Sequence, residues 1–302
     1  MSTRIPPLLE PYLLLPRETS LTLLTSVLGA STNWLVVRYL SSFLAPSPTA
    51  VSPSLPSTPS ASSPSNVSVL LVSFLRDYPF FRDLSLKQGL DLDSAGRKGR
   101  FGYVDGLSSL YLPAPPPPAG TDKQALARPW VSNLTSARVD DVRSKLLGAV
   151  EGLKRTAGTH ERRVALVIDG LDTLLATASD EEGIGQRVQD LLLDLREQTH
   201  ATILTLSADA PLFSSQTTRL EEEHAALILS GAHAADVVLS LRLLDTGTAK
   251  DVSGVIRVTR GGGGGGADGE TDGEMIGVQM EDREYLYHVL GDGGVRVFER
   301  GQ

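Results

Sequence analysis

The sequence predicts an α/β fold in which a mostly parallel sheet is flanked by helices and continues into antiparallel strands at its C-terminal end. Between residues 20 and 206, short continuous apolar runs alternate with stretches of helical spacing, which is typical of parallel strands buried on both faces. Residues 236–300 instead alternate apolar and polar positions around tight turns, as antiparallel hairpins do. The hydrophobic content of 41% is that of a globular protein with a sizeable core.

The N-terminal part supplies the first strand–helix unit. Residues 1–20 form a proline-punctuated arm, and its apolar portion, residues 5–15, has no obvious place in the predicted core. A strand over 20–28 and a helix over 34–44 follow, joined by a turn that contains glycine. Residues 45–66 are almost entirely Ser, Pro, Ala and Thr. Because that composition buries no apolar surface, we expect a disordered insertion.

The strand–helix alternation then continues through the middle of the chain. We predict a strand over 67–75, a short helix within 76–89 and a third strand over 100–107. Residues 113–136 read as a proline-rich loop, and residues 137–156 as an amphipathic helix with apolar side chains on one face.

A central strand over residues 164–168 ends at Asp169-Gly170. It is followed by a helix over 185–199, a strand over 201–206 and a helix over 219–229. Together these elements make five units of βα type.

The remaining chain is predicted to be β-rich, with a glycine-rich loop over residues 261–273. The predicted strands of this part cover residues 236–244, 252–260, 284–290 and 294–300. We therefore expect a single domain over residues 1–302.

Composition excludes several classes of function. The net charge of -8 argues against a surface devoted as a whole to nucleic acid. The absence of cysteine excludes disulfides, thiolate nucleophiles and cysteine-ligated zinc or iron–sulfur sites. The N-terminal leucine run is broken by prolines, and the chain has no apolar run of about 18 residues. Neither a signal peptide nor a membrane partner is therefore expected.

Asp169 is the strongest candidate for a ligand-binding carboxylate. It ends a buried parallel strand, and open α/β sheets place ligands at that end. In P-loop NTPases the Walker B aspartate at this position helps to hold magnesium. The alternative is that Asp169 only caps the helix that follows.

A phosphate-binding loop should follow the first strand if Asp169 serves a nucleotide. That loop needs the pattern G-x-x-x-x-G-K-[ST], whose glycines and lysine meet the phosphates. Residues 27–36 read VLGASTNWLV, with one glycine and no lysine. We interpret this as a degenerate phosphate loop, in which an indole would obstruct phosphate, and expect a pseudo-ATPase with no cofactor and no metal. Its residues are Gly29, Ser31, Thr32, Asn33 and Trp34.

Other catalytic patterns are weaker still. The five histidines are scattered and form no metal-binding spacing. Asp245-Thr246-Gly247 resembles the aspartic-protease signature, but such enzymes pair two carboxylates, and the chain has a single D-T-G. We interpret it as a turn between two strands.

Basic residues concentrate in two places, near the third strand and in the C-terminal sheet. A solvated face is the default interpretation, and contact with an RNA backbone is the alternative, because phosphate binding requires only a few arginines and lysines in one groove. The candidates for RNA contact are Arg97, Lys98, Arg100, Arg242, Arg257 and Arg260.

Several blocks of the chain, taken in order, resemble the family of the sixth Elongator subunit in its fungal form. They are IPPLLEPYLLLPRETSLTLLTSVLGASTNWLVVRYL, VSVLLVSFLRDYPFF, GRFGYVDGLSSLY, ALVIDGLDTLLA and HAADVVLSLRLLDTGTAKDVSGVIRVTRG. The resemblance covers most of the chain and leaves out the insertion at 45–66, the proline loop and the glycine run.

This resemblance implies a RecA-like fold without working Walker motifs. It implies a heterohexameric ring with the fourth and fifth Elongator subunits, two copies each, that docks on the catalytic subcomplex and binds tRNA. Elongator modifies the wobble uridine of certain tRNAs at carbon 5, through another subunit that contains an iron–sulfur cluster. A cytoplasmic location is expected, with the nucleus as a second one. A divergent NTPase with a non-standard phosphate site and a RecA-type regulatory adaptor in DNA recombination are the alternative functions.

In RecA-like rings, loops after the fourth and fifth strands point into the central channel. Here these loops are residues 176–185 and 208–223, and both carry acidic clusters. Acidic loops do not grip phosphates, so either they face partner subunits or the tRNA contacts lie elsewhere. We further expect the arm at 5–15 and the strands at 236–260 to help bind the partner subunits.

Overall fold

The computed structural model describes residues 6–44, 67–112, 128–155, 162–178, 183–245, 247, 249–264 and 282–300. The predicted insertion at 45–66 lies outside these residues. So do residues 113–127 of the proline-rich loop and 265–273 of the glycine-rich loop. What the sequence suggests for those stretches stays a prediction.

Ten strands of the described residues form one sheet, in the order β10-β9-β8-β7-β1-β6-β5-β2-β3-β4. Neighbours from β7 across to β4 pair in parallel, whereas the pairs β7–β8, β8–β9 and β9–β10 are antiparallel. The predicted fold class is therefore confirmed. The strands are β1 (Ser20–Ser26), β2 (Val67–Ser73), β3 (Phe101–Asp105), β4 (Val131–Asn133), β5 (Arg163–Asp169), β6 (Ala201–Ser207), β7 (Val237–Arg242), β8 (Gly254–Arg260), β9 (Arg283–Val289) and β10 (Val295–Phe298).

Helices cover both faces of the sheet. Helices α2 and α3 contribute to one apolar core, together with the C-terminal strands, and α6, α8 and α10 contribute to the other. The helices are α1 (Glu10–Leu13), α2 (Asn33–Leu44), α3 (Tyr78–Lys87), α4 (Leu92–Arg97), α5 (Ser108–Tyr111), α6 (Val139–Arg155), α7 (Thr173–Thr177), α8 (Ile184–Gln198), α9 (Pro211–Ser214) and α10 (Arg219–Ala234), and short 3-10 turns lie at Pro7–Leu9 and Gly262–Gly264. None of the helices in the described parts of the chain is long and apolar enough to cross a membrane.

The register of the parallel strands brings polar side chains to one edge of the sheet. Ser73, the last residue of β2, lies opposite both Asp105 of β3 and Asp169 of β5. Ser26 of β1 lies opposite Ser207 of β6 in the same way. We call this side of the sheet, where the parallel strands end, the carboxyl edge.

The N-terminal arm belongs to the core, so the expectation that it has no place there is wrong. Leu9 and Leu13 are fully buried, and the Tyr39 hydroxyl donates a hydrogen bond to the Tyr12 carbonyl at 3.0 Å. The same core contains Tyr285 and Val295 from the antiparallel strands. These strands extend the sheet beyond the five βα units and create the surface on which the arm packs.

Two stretches predicted as loops contain ordered structure. Within 113–136, residues Val131–Asn133 form strand β4 at the end of the sheet. The glycine run begins as an ordered turn, in which Gly263 donates a hydrogen bond to the Ala235 carbonyl at 2.9 Å. A β-carbon on Gly261 would lie 2.1 Å from that carbonyl oxygen, so only glycine fits there.

The second acidic cluster of the sequence lies in a helix rather than in a loop. Thr218 and Glu221 form a capping box at the start of α10, and Glu223 pairs with Arg219 at 2.9 Å. The carboxylates of Glu221 and Glu223 therefore stabilise the N-terminal part of α10. Residues 180–182, the first acidic cluster, lie outside the described residues.

Candidate functional site

The candidate site is the carboxyl edge, where loops from β1, β2, β5, β6 and β7 meet. In parallel α/β sheets this edge is where ligands bind. The two features predicted from the sequence lie near each other at this edge. Asp169 ends β5, the degenerate phosphate loop follows β1, and only β6 separates these two strands.

Asp169 is buried between two hydroxyl groups. Its side chain accepts hydrogen bonds from Ser73 Oγ at 2.7 Å and from Thr205 Oγ1 at 3.1 Å, and Asp169 is 1% exposed. Burial raises the pKa of this carboxyl, although both hydroxyl donors act in the opposite direction. The carboxylate therefore joins the ends of β2, β5 and β6.

The partners of Asp169 are themselves fixed. Ser73 Oγ accepts the amide of Arg76 at 2.9 Å, and Thr205 Oγ1 accepts the amide of Gly170 at 2.8 Å. Each hydroxyl thus has its hydrogen directed at the carboxylate. This network explains why Ser73, Asp169 and Thr205 are polar although they are buried. Nothing in it requires a metal ion.

The loop after β1 is shaped by its own hydrogen bonds. Gly29 has a φ of 91°, a conformation that favours glycine, and Ala30 donates to the Val27 carbonyl at 2.9 Å. The amides of Leu35 and Val36 bond back to the Thr32 carbonyl. The loop is therefore a tight turn leading directly into α2.

An acidic side chain holds the loop after β1. Asp209 Oδ1 accepts a hydrogen bond from the Leu28 amide at 2.7 Å. In a phosphate loop such amides point at the ligand. Here the Leu28 amide already donates to Asp209, and the Asp209 carboxylate would repel a phosphate group.

Trp34 is packed into the core. It is 4% exposed, and its ring centroid lies 5.3 Å from that of Tyr287 in β9. Ser31 and Asn33 form a local contact, in which the Asn33 amide donates to Ser31 Oγ at 3.2 Å. The indole therefore helps to attach the antiparallel strands to α2.

Leucines stand out at the carboxyl edge. Leu28 is 85% exposed, and Leu243 and Leu75 are about half as exposed. A β-carbon at Gly29 would lie 3.2 Å from Leu243, so the loops after β1 and β7 touch. Together Leu28, Leu75 and Leu243 form what we call the edge leucines.

Other polar groups at this edge have structural partners. Asp105 accepts hydrogen bonds from the amides of Leu107 and Ser108 and from the Ser108 hydroxyl, at 2.7–2.9 Å. Asp245 pairs with Arg242 in the turn that follows β7, as interpreted for the D-T-G triplet. In the described ranges, no group of three or more acidic or histidine side chains is placed to hold a metal ion.

The basic candidates do not form one cluster. Arg97, Lys98 and Arg100 lie by β3, whereas the C-terminal arginines lie on or beside β7 and β8, near the other end of the sheet. Strands β3 and β8 are six positions apart, or about 29 Å at the usual strand spacing. One stretch of RNA backbone would have to be long to reach both groups.

Most of the basic candidates already have partners. Arg100 donates to the carbonyls of Leu44, Phe43 and Val67 at 3.1–3.3 Å, and so joins the end of α2 to the start of β2. Arg242 bonds to Glu284, which raises the pKa of the guanidinium, and Arg257 lies 3.4 Å from Asp282. Arg260 is exposed at the end of β8.

Sequence reasoning missed Asp209 and the edge leucines. Asp209 could have been found, because it follows a buried strand by two residues just as Asp169 ends one. The edge leucines carry no such signal, because a leucine at a strand end is usually buried.

Comparisons with known proteins bear on both the family and the fold. The family model described as Elongation complex protein 6 matches residues 64–276. A solved KaiC-like protein of the hyperthermophilic archaeon Pyrococcus horikoshii superposes with a TM-score of 0.54 at 17% identity, over 93% of this chain and 90% of that one. This likeness shows the fold alone, which is RecA-like. No curated protein matches the chain significantly.

Proposed function

The chain belongs to the Elongation complex protein 6 family, and from that premise we propose that it is a non-catalytic ring subunit of the Elongator complex. Its partners are the fourth and fifth subunits, two copies of each chain forming a heterohexamer. The ring docks on the catalytic subcomplex, binds tRNA and supports modification of the wobble uridine at carbon 5. We place this activity in the cytoplasm.

The hydrogen bond between Asp209 and the Leu28 amide is the observation that carries the non-catalytic assignment. A phosphate group bound there would have to displace a carboxylate and find compensating positive charge. Residues 27–36 supply no lysine or arginine for that purpose. Asp169 supports the same assignment, because its hydrogen bonds with Ser73 and Thr205 keep its carboxylate buried at the carboxyl edge.

The edge leucines support a protein partner at the same place. Neighbours in a ring meet head to tail, each offering a different face to the next. In this chain the carboxyl edge presents Leu28 and Leu243 where a nucleotide would otherwise lie. Exposed apolar groups of this kind favour burial by another protein. We propose that this edge, together with β7 and β8, contacts a partner subunit.

The basic candidates are proposed to assist tRNA binding only as part of the ring. Arg97, Lys98, Arg257 and Arg260 are the exposed cations among them. Four cations make a weak RNA footprint on a chain of net charge -8, so the partners must supply most of the phosphate contacts.

Coexpression with the fourth and fifth subunits tests the proposal. The wild-type chain should copurify with both, and Leu28→Asp should reduce assembly because it places a charge in the apolar contact. Leu229→Asp is the matched control, because Leu229 is 60% exposed but lies on α10 away from the edge. If both variants assemble equally well, the edge leucines are not part of the interface. If the wild type fails to copurify with the two subunits, the ring assignment is wrong.

A further inference from the structure

A concave surface lies at the opposite side of the parallel sheet from the antiparallel strands. It is a groove of about 700 Å³ between α6, β3 and the turn that follows α4. That volume is typical of sites that enclose a ligand. Its floor includes Gly102 of β3, and its walls include Gly148 and Gly152 of α6. We call it the α6 groove.

The two α6 glycines have no packing reason to be glycine. A β-carbon at Gly148 or Gly152 would meet no atom within 4 Å, and both positions are interior to a helix. Glycine is among the poorest helix formers, so a larger residue would favour the helix and would also fit. By contrast, a β-carbon at Gly96 would come within 2.4 Å of Trp130. The α6 glycines keep the groove open.

The rim of the α6 groove is basic. Arg97, Lys98 and Lys145 line it, although the chain as a whole is acidic. Within the described ranges neither lysine forms an ion pair, and Arg97 makes only a 3.9 Å contact with the exposed Asp91. The cations are therefore free to meet an anionic ligand.

The groove floor favours a peptide over RNA. Its uncharged polar side chains are few, since the Tyr103 hydroxyl already donates to the Arg76 carbonyl and only Ser132 and Ser144 remain. The polar groups of RNA bases and sugars would find no hydrogen-bond partners on such a floor, and burying them unpaired would weaken binding. An apolar side chain flanked by carboxylates would match both the floor and the rim.

The dimensions of the groove agree with an extended segment. Ser144 and Gly152 are eight residues apart on α6, which corresponds to about 12 Å. An extended peptide rises about 3.3 Å per residue, so about four residues fit along this wall. Strand β4, which ends the sheet, lies beside the groove through Ser132.

We propose that the α6 groove binds an extended acidic segment of another Elongator subunit. This inference rests on the proposed function, because it places the chain in that complex. The segment contributes an apolar side chain to the glycine-lined floor, and its carboxylates pair with Lys98 and Lys145. Lys98 is then withdrawn from the tRNA contacts proposed above. The contact is separate from the ring interface at the carboxyl edge.

Photo-crosslinking in the assembled complex tests the proposal. p-Benzoylphenylalanine in place of Arg97, an exposed residue of the groove rim, leaves the floor open and should crosslink to a segment of another subunit rich in Asp and Glu, identified by mass spectrometry. The same probe in place of Asp141, which is exposed on α6 outside the groove, is the control and should not capture that segment. A complex that assembles but crosslinks at position 97 only to RNA, to a basic segment or to nothing overturns the groove proposal alone. A complex that fails to assemble overturns the proposed function first.

Substitutions then measure the contact with a labelled synthetic peptide of the captured segment, added to the complex in which the native segment is deleted. Gly148→Leu should weaken binding at least tenfold by filling the groove, and Lys98→Glu and Lys145→Glu should each do so by reversing the rim charge. Lys154→Glu is the matched control, because Lys154 lies on α6 outside the groove and bonds to Gln198. Unchanged binding by Gly148→Leu, or equal losses from Lys145→Glu and Lys154→Glu, would contradict the proposal.

Discussion

Replacing Leu13 with alanine should destabilise the folded chain by about 2–5 kcal/mol, the usual cost of removing a buried leucine side chain. Leu13 is fully buried in the core that also contains Tyr39 and Phe43. The adjacent Leu14 is 51% exposed, so Leu14→Ala should cost about 0.5 kcal/mol, as surface substitutions do. Two neighbouring leucines of one short segment therefore differ in effect by about fourfold or more.

Urea unfolding of the dilute purified chain measures this difference. The midpoint should fall for Leu13→Ala with an unchanged slope, since the variant changes stability rather than the surface exposed on unfolding. Terminal segments can also detach locally, which limits the loss to the free energy with which the arm docks. Hydrogen exchange at residues 9–13 would show that case as early loss of protection.

The opposite result would restore the earlier expectation for the arm. If Leu13→Ala unfolds like wild type and instead weakens association with the fourth and fifth subunits, the arm serves the partners. In that case Leu9 and Leu13 do not support the core of the isolated chain, and the reasoning from their burial fails.

Three further perturbations address α6, the carboxyl edge and the nucleotide question. Gly148→Ala should raise the free energy of unfolding by about 1 kcal/mol, because alanine is the better helix former and has room, whereas Gly96→Ala should lower it through its clash with Trp130; urea unfolding compares the two. The raised pKa of Asp169 means that its carboxyl group binds a proton more tightly in the folded state than in the unfolded state. The contribution of Asp169 to the free energy of unfolding therefore falls as pH rises above about 3.9. The free energy of unfolding of Asp169→Asn should lack this pH dependence. If the difference in unfolding free energy between wild type and Asp169→Asn does not change with pH, this expectation is contradicted. Magnesium ATP should leave the melting temperature of the ring unchanged, and Asp169→Asn should alter no ATPase rate beyond the effect of lost stability; a rise in melting temperature or a clean loss of hydrolysis would favour the divergent NTPase.

The sequence reasoning located the buried strands well, because their signal is local. Continuous apolar runs ending in Asp169-Gly170 or Asp105-Gly106 mark strands that the structure places side by side. The position of Asp169 at the carboxyl edge follows from the same pattern. Its hydroxyl partners do not, because Ser73 and Thr205 lie 96 and 36 residues away and only the strand order brings them together.

Features that depend on tertiary packing were the ones missed. Strand β4 has three residues and a single apolar side chain, so it carries no periodic signal. The N-terminal arm is apolar for a reason that becomes visible only once β9 and β10 are added to the sheet. Trp34 lies at the position where the loop pattern fails, but its contact with Tyr287 joins opposite ends of the chain.

The mass of the complex formed with the fourth and fifth Elongator subunits tests the central claim most directly. Native mass spectrometry of the coexpressed proteins should give one species with two copies of each chain, unchanged by added nucleotide, because the edge leucines rather than a phosphate ligand hold the interface. A chain that remains a stable, monodisperse monomer in the presence of both partners, or a ring that forms only when ATP is bound, would contradict the account.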